Sequence, residues 1–193
     1  MAGETQRMAA SALLVIDFQQ AFDDAAYWGE RNNPQCEKNV AALVAAWRAR
    51  RMPVVVVRHD SVEDGSPLRP GEPGNALKPE LEGDPDLLIT KSVHSSFHGE
   101  PDLDAWLRAR AIGEVVICGV ATDHCCETTA RVACDLGYRV TLPLDATLTF
   151  DRRAPDGELI RADEISRRTA ASLSGEFAAV IDTAAVLAEH AAD

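Results

Sequence analysis

Six short runs of aliphatic residues recur along the chain, and they restrict its possible folds more than any other feature. Each run is apolar almost without interruption, rather than alternating between apolar and polar residues. Such continuous hydrophobicity is typical of strands with both faces covered, as in a parallel sheet between layers of helices. The runs are ALLVID (12–17), PVVVVR (53–58), DLLITK (86–91), EVVICG (114–119), RVTLPLD (139–145) and FAAVID (177–182).

Helical segments are predicted between these runs. The first begins with Asn33 as its N-cap and Pro34 at its first helical position. Further helices are predicted over 101–113, over 122–137, and near 163–173 and 183–191. The alternation of strands and helices predicts an α/β fold, a three-layer α/β/α sandwich around a six-stranded, mainly parallel sheet.

The length of 193 residues suits one domain spanning 1–193, with residues 1–10 expected to form a flexible N-terminus. The segment 59–85 is rich in Gly, Pro and charged residues, and it is expected to cross the sheet as a long binding loop or lid. A second, shorter loop of this kind is expected at 151–157.

The net charge of −12 excludes some classes of partner. With 19 basic and 31 acidic side chains and no basic cluster, the chain would be repelled by nucleic acids and by anionic membranes. No apolar run approaches the length of a membrane span and no signal peptide is recognisable, so a cytoplasmic protein is expected. The five cysteines are expected to be free thiols, with Cys36 and Cys118 serving as small buried hydrophobes.

Reactive side chains follow several of the predicted strands. Asp17 ends the first run, Lys91 ends the third, and the fourth leads into Cys125 and Cys126. Each has an ordinary alternative role, because a strand-end Asp often caps a turn, a Lys often reaches for water and most cysteines are inert. Parallel strands, however, bring their carboxyl ends to one edge of the sheet, where ligands bind. We therefore expect a carboxylate, an ammonium and a thiol to meet there.

The two adjacent cysteines differ in their predicted roles. Cys126, Ala130 and Cys134 fall on one small apolar stripe of the predicted helix, which is suited to packing against the sheet. Cys125 lies nearer the open N-terminus of that helix, so it is the better candidate nucleophile. The helix dipole and the ammonium of Lys91 are expected to lower its pKa, which would make the thiolate accessible near neutral pH.

Four segments carry a resemblance to a known superfamily. LLVIDFQQAF, LITKSVHSSFHG, VVICGVATDHCCETTAR and LDATLTF resemble, in this order, the isochorismatase-like cysteine hydrolases, which include nicotinamidases and N-carbamoylsarcosine amidase. The resemblance implies a catalytic triad of Asp17, Lys91 and Cys125. It also implies a cis peptide bond between Val120 and Ala121, and an oxyanion hole formed by the backbone N–H groups of Ala121 and Cys125. A homo-oligomer, either a dimer or a tetramer, is implied as well.

The chain departs from nicotinamidases at their metal site. Those enzymes carry an Asp-x-His motif after the second strand, whereas no His stands two residues beyond Asp60 here. His59, His94 and His98 match no reliable pattern of metal ligands, so neither a metal nor another cofactor is expected. Isochorismate-cleaving members are similar in fold but lack the thiol, which favours acyl transfer at Cys125.

Several further side chains are candidates for substrate binding. Phe22, Trp28, His59 and Phe97 follow strand ends and are expected to contact substrate. His124 is expected either to line the pocket as well or to lie in solvent. Tyr27 and Phe150 are expected to take part in ordinary core packing.

These features predict a cysteine hydrolase that cleaves a C–N bond, amide or carbamoyl, of a small molecule through a thioester. Two alternatives remain open. One is a non-catalytic thiol sensor or binding protein that uses Cys125 and Cys126 as a redox pair, although adjacent cysteines form a strained disulfide. The other is a metal-assisted deamidase similar to nicotinamidase.

Overall fold

The computed structural model describes residues 10–81 and 83–191, and it has the predicted α/β fold. All six apolar runs form strands of one parallel sheet, in the order β3-β2-β1-β4-β5-β9. A seventh strand, β6, pairs with the end of β4 and was missed by the six-stranded prediction because it has two residues; β7 and β8 form a separate antiparallel hairpin. The strands are β1 (Ala10–Ile16), β2 (Val54–His59), β3 (Leu87–Lys91), β4 (Ile112–Val120), β5 (Arg139–Pro143), β6 (Thr147–Leu148), β7 (Arg152–Arg153), β8 (Leu159–Ile160) and β9 (Ala179–Ile181).

The helices lie between the strands as predicted, but their ends differ from the sequence-based bounds. The predicted 101–113 helix is shorter, because Asp102 caps it through the N–H of Ala105 (3.0 Å) and β4 has already begun at Ile112. Residues 1–9, on which most of the predicted flexible terminus falls, lie outside the described residues. The helices are α1 (Ala25–Trp28), α2 (Cys36–Ala49), α3 (Leu103–Arg108), α4 (Glu127–Asp135), α5 (Ala162–Leu173) and α6 (Thr183–Glu189).

Asn33 is not the N-cap of the first long helix, contrary to the prediction. Its φ is 47°, in the left-handed region, and its side-chain amide donates to the carbonyl oxygens of Asp145 (2.8 Å) and Thr147 (2.6 Å). Helix α2 therefore begins at Cys36, after Gln35. Asn33 thus connects the segment before α2 to the loop between β5 and β6 and to β6 itself.

The sheet is buried on both faces, as its continuous hydrophobicity predicts. Leu13 and Val15 of β1 face one side, where they join a core that includes Trp47 of α2. Leu14 faces the other side with Ala130 of α4. Burial of one such aliphatic side chain stabilises the fold by about 1.5–3 kcal/mol.

The buried cysteines occupy these two cores. Cys36, Cys118 and Cys126 are fully buried, which confirms the prediction that Cys36 and Cys118 are structural. The predicted stripe on α4 needs one correction, because Cys134 is partly exposed and Ala133 is the fully buried residue one turn beyond Ala130.

A close approach of two strands sets the position of the loop after β4. Gly119 has a φ of 119°, and a Cβ built there would lie 2.0 Å from the carbonyl oxygen of Ile16. Only glycine allows the end of β4 to lie this close to the end of β1. In the described part of the chain, no helix combines the length and apolar character needed to cross a membrane.

Candidate active site

Asp17 lies immediately after β1 and is almost completely buried. Its φ is 49°, an uncommon value for a residue with a side chain, and its N–H donates to the carbonyl oxygen of Val57 (2.8 Å). Carboxylate oxygen Oδ2 accepts a hydrogen bond from Lys91, whereas Oδ1 is buried and has no hydrogen-bond partner among the described residues. Oδ1 is therefore free to accept a proton or a hydrogen bond.

Lys91, at the end of β3, reaches across β2 to this carboxylate. Its ammonium donates to Asp17 Oδ2 (2.6 Å), to His59 Nδ1 (3.2 Å) and to Cys125 Sγ (3.3 Å). An ammonium has three protons, so each of these contacts uses one of them. The geometry therefore fixes Lys91 as the common donor of the cluster.

The contact with Lys91 also defines the protonation state of the His59 imidazole. A ring nitrogen that accepts from an ammonium carries no proton, so the proton of His59 is assigned to Nε2. Burial lowers the pKa of His59, and the adjacent charge of Lys91 lowers it further. His59 is consequently a neutral imidazole within the cluster.

Cys125 lies in a wide, π-helical turn, Thr122–Cys126, that precedes α4. The N–H of Cys126 donates to the carbonyl oxygen of Ala121 (3.2 Å), five residues earlier, and the peptide bond between Val120 and Ala121 is cis. Turns of this type are frequent at functional sites. Cys125 and Ala121 line a cavity, whereas the sulfur of Cys126 belongs to the core beside Ala130.

The Cys125 thiol is not activated at rest in the way that its sequence context suggested. Burial raises its pKa, the carboxylate of Asp17 raises it further, and the opposing effect of Lys91 is smaller. The expectation of an accessible thiolate near neutral pH was therefore wrong, because the ammonium of Lys91 does not outweigh burial and the neighbouring carboxylate of Asp17. The resting cluster contains a thiol, a carboxylate and an ammonium.

The cavity beside Cys125 has a volume of about 280 Å³, which is close to the lower limit for small-molecule sites. One wall is aromatic: the ring centroids of Phe22 and Trp28 are 4.8 Å apart, and those of Trp28 and Phe150 are 5.6 Å apart. Phe22, Trp28 and His59 line it as predicted. Phe150 and the half-exposed Tyr27 also line it, so the expectation that they serve only in core packing needs correction.

Phe97 does not line this cavity, and its predicted role in substrate binding is corrected. Its ring stacks on Tyr138, with centroids 5.8 Å apart, on the side of the sheet that packs against α3 and α4. The cause is the preceding residue, Ser96, whose N–H and hydroxyl both contact the hydroxyl of Thr129 at 3.1 Å. His98, in the same turn, is exposed and also lies outside the cavity.

The long loop after β2 forms another wall, as predicted. It is largely irregular, and it supplies Ser61, Ser66 and Leu68 to the cavity. The buried side chain of Gln19 holds it in place through the carbonyl oxygens of His59 and Asn75, both at 3.0 Å.

Sequence reasoning missed the polar residues that close the cavity. Arg152 donates to Asp123 Oδ2 (2.7 Å) and lies 3.4 Å from Nδ1 of His124. His124 lines the cavity, which is one of the two environments expected for it. Burial lowers the pKa of His124, and the charge of Arg152 lowers it further. The polar segment 151–157 was recognised as a candidate loop, but nothing in it singled out Arg152.

His94 was left without a role by the sequence, and it too lines the cavity. Its Nδ1 lies 3.7 Å from Cys125 Sγ, and its ring lies against that of His124, with centroids 5.7 Å apart. The sulfur thus has Lys91 on its buried side and His94 on its cavity side.

The residues present do not fit the metal site of nicotinamidases. The carboxylate of Asp60 is held by the guanidinium of Arg58 (2.8 and 2.9 Å) and by the amide of Asn75 (3.0 Å). Val62 stands two residues beyond Asp60, where a His would be required. Ligand atoms of Asp17, His59 and Cys125 do lie within 4.8 Å of one another, but the ammonium of Lys91 already contacts all three groups.

Comparisons with known proteins agree on one family. The isochorismatase domain model matches residues 11–190. YrdC of Bacillus subtilis, an uncharacterized isochorismatase family protein, is 37% identical over 173 residues, which cover 89% of this chain and 91% of YrdC. Nicotinamidase 3 of Arabidopsis thaliana is 29% identical over 186 residues, covering 89% and 84% of the two chains.

Two solved structures extend this result. One, from Chromobacterium violaceum, is assigned to the hydrolases of the isochorismatase family; it is 41% identical, covers both chains completely and has a TM-score of 0.90. A cysteine hydrolase from Pseudomonas syringae is 26% identical, with a TM-score of 0.84 and coverage of 95% of this chain and 93% of that one. With the family model matching nearly its whole length, the chain belongs to the isochorismatase family of hydrolases.

Proposed function

We propose that this protein is a cysteine hydrolase that cleaves the C–N bond of a small amide or carbamoyl compound through a thioester on Cys125. The observation that carries the proposal is the set of contacts made by Lys91, which join the carboxylate of Asp17 and the sulfur of Cys125 through one ammonium. Relatives support the reaction class, because a nicotinamidase acts on an amide and one structural neighbour is a cysteine hydrolase.

The first half of the proposed reaction forms the thioester. Asp17 accepts the proton of the Cys125 thiol as the sulfur attacks the carbonyl carbon of the substrate, and the developing oxyanion accepts hydrogen bonds from the N–H groups of Ala121 and Cys125. The protonated Asp17 then donates this proton to the departing amine as the C–N bond breaks. Lys91 remains charged and holds the carboxylate and the sulfur in register.

The second half hydrolyses the thioester. A water molecule adds to the same carbonyl carbon and the C–S bond breaks. One proton of the water returns to the sulfur and restores the Cys125 thiol, and the product leaves as a carboxylic acid, or as a carbamic acid from a carbamoyl substrate. The small cavity with one aromatic wall supports a compact substrate rather than a peptide.

The alternative roles receive less support from the cluster. A redox pair of Cys125 and Cys126 requires a sulfur that is fully buried in the core. A metal-assisted reaction requires ligands at the position of Asp60, whose carboxylate is already held by Arg58.

The test is a panel of small primary and carbamoyl amides, with ammonia release as the readout and intact mass to detect an acylated protein. We expect turnover of at least one compound, loss of turnover in Cys125→Ala, and retention in the matched variant Cys126→Ala. Equal loss of activity in both variants, with both folded, would refute the assignment of the nucleophile.

A further inference from the structure

Three imidazoles line the cavity, and they differ in what their nitrogens contact. Nδ1 of His59 accepts from Lys91. Nδ1 of His124 lies beside Arg152, and its Nε2 lies 3.5 Å from the carboxylate of Asp123. Among the described residues, the ring of His94 has a single hydrogen-bond partner, the sulfur of Cys125 at 3.7 Å. His94 is therefore the imidazole that is free to exchange a proton beside the nucleophile.

The positions of Asp17 and His94 relative to the sulfur suit different halves of the reaction. Asp17 borders the same cavity but is only 1% exposed, and its Oδ2 is held by the ammonium of Lys91. His94 is exposed and lies on the cavity side, from which water reaches a thioester on Cys125. A water molecule hydrogen-bonded to Nδ1 at about 2.8 Å can lie within about 3.5 Å of the carbonyl carbon bonded to Sγ, which is a suitable distance for attack.

We propose that His94 is a further catalytic residue that acts in hydrolysis of the thioester, an inference that rests on the proposed function. As water adds to the carbonyl carbon and the new C–O bond forms, neutral His94 takes one proton from the water and becomes an imidazolium. The C–S bond then breaks, and the imidazolium returns this proton to Sγ, which restores the thiol and the neutral imidazole. The second water proton leaves with the acid product.

In this scheme Asp17 is the base during formation of the thioester, and His94 is the base during hydrolysis of the thioester. A general base or acid of this kind contributes about 10²–10⁴-fold to the rate of its step. Removal of His94 should therefore leave acylation fast and make hydrolysis of the acyl-enzyme slow.

The test uses p-nitrophenyl acetate as the probe, because its coloured leaving group reports acylation separately from turnover. His94→Ala is compared with wild type and with His98→Ala, a matched variant of an exposed histidine four residues away and outside the cavity. We expect His94→Ala to release one equivalent of p-nitrophenolate at close to the wild-type rate and then turn over about 100-fold more slowly. Mass spectrometry should find the acetyl group on Cys125.

Added imidazole should restore part of the lost turnover in His94→Ala and have no such effect on His98→Ala, a response that a purely structural role would not give. The inference is overturned if His94→Ala turns over at the wild-type rate, or if it loses turnover without accumulating acetylated Cys125. Failure of wild type to acylate Cys125 with the ester or with any amide would instead remove the proposed function, and this inference with it.

Discussion

Replacement of Asp17 by Asn should make Cys125 more reactive towards an alkylating agent while it abolishes hydrolysis. The carboxylate of Asp17 raises the pKa of the Cys125 thiol, and its removal leaves the ammonium of Lys91 with the sulfur as its remaining anionic partner. Loss of the catalytic base alone would not increase reactivity, whereas unfolding would expose the buried thiol and also increase it. The direction of the change is therefore diagnostic only in a variant that circular dichroism shows to be folded.

The size of this effect follows from the distance. Ligand atoms of Asp17 and Cys125 lie within 4.8 Å of each other. Two unit charges at that distance interact by about 3.5 kcal/mol at an effective dielectric constant of about 20, which corresponds to roughly 300-fold in the thiolate fraction at a fixed pH. A thiolate of lower pKa is also a weaker nucleophile, with a Brønsted coefficient of about 0.4–0.5, so the alkylation rate should rise by roughly 20-fold.

The assay is the rate of iodoacetamide labelling of Cys125 as a function of pH, read by peptide mass. It is best made in a Cys134→Ser background, because Cys134 is the other cysteine with exposed surface. In the wild type, the raised pKa keeps the thiol neutral at pH 7, so labelling should still be accelerating at alkaline pH. In Asp17→Asn, the curve of labelling rate against pH should move to lower pH.

Lys91→Met should change the labelling rate in the opposite direction in the same assay. Without the ammonium 3.3 Å from the sulfur, the pKa of the thiol should rise further and labelling should slow. The reasoning would be refuted if Asp17→Asn labelled no faster than wild type while remaining folded, or if both variants changed the rate in the same direction.

The remaining predictions concern the packing around the site. Cys126→Ala should keep its turnover and lower the free energy of unfolding by about 1 kcal/mol, because a fully buried sulfur is removed from the core; urea denaturation measures the loss, and a loss of turnover in folded protein would contradict it. Gly119→Ala should cost at least about 3 kcal/mol, since the new Cβ would meet the carbonyl oxygen of Ile16 at 2.0 Å. The control is Gly137→Ala, which also has a positive φ but no atom within 4 Å of its Cβ, so it should cost about 1 kcal/mol, and equal costs would contradict the argument.

The parts of the fold that follow from local pattern were predictable from the sequence. Each long strand is a continuous aliphatic run, so its existence needs no knowledge of its neighbours. Strand β6 was missed because its two residues, Thr147 and Leu148, are a strand only through their pairing with Gly119 and Val120. Asn33 was misread for the same reason, because its side chain binds carbonyl oxygens more than a hundred positions away in the sequence.

The sequence predicted which reactive residues form the candidate site. It predicted less well the pKa of the thiol and the residues that line the cavity. The ends of parallel strands indicate which groups can meet, and the family resemblance narrowed them to Asp17, Lys91 and Cys125. The pKa of the thiol was expected to change in the wrong direction, because burial and the distance to Asp17 depend on packing. Phe97 was misplaced because a hydrogen bond between Ser96 and α4 turns its segment away from the cavity.

In the proposed reaction, the arrangement lets a buried thiol with a raised pKa act as a nucleophile. Transfer of its proton to Asp17 changes a carboxylate and a thiol into a carboxylic acid and a thiolate, so the net charge of the buried cluster does not change. The negative charge moves from Asp17 Oδ2, which lies 2.6 Å from the Lys91 ammonium, to Cys125 Sγ, which lies 3.3 Å from the same ammonium. Because no uncompensated charge is created away from water, this step avoids most of the desolvation cost that separate ionisation of Cys125 would carry. A substrate carbonyl at the sulfur then needs to offset only the remaining free-energy difference between the two protonation states of the cluster. The proposed reaction therefore couples attack and proton transfer in a single step.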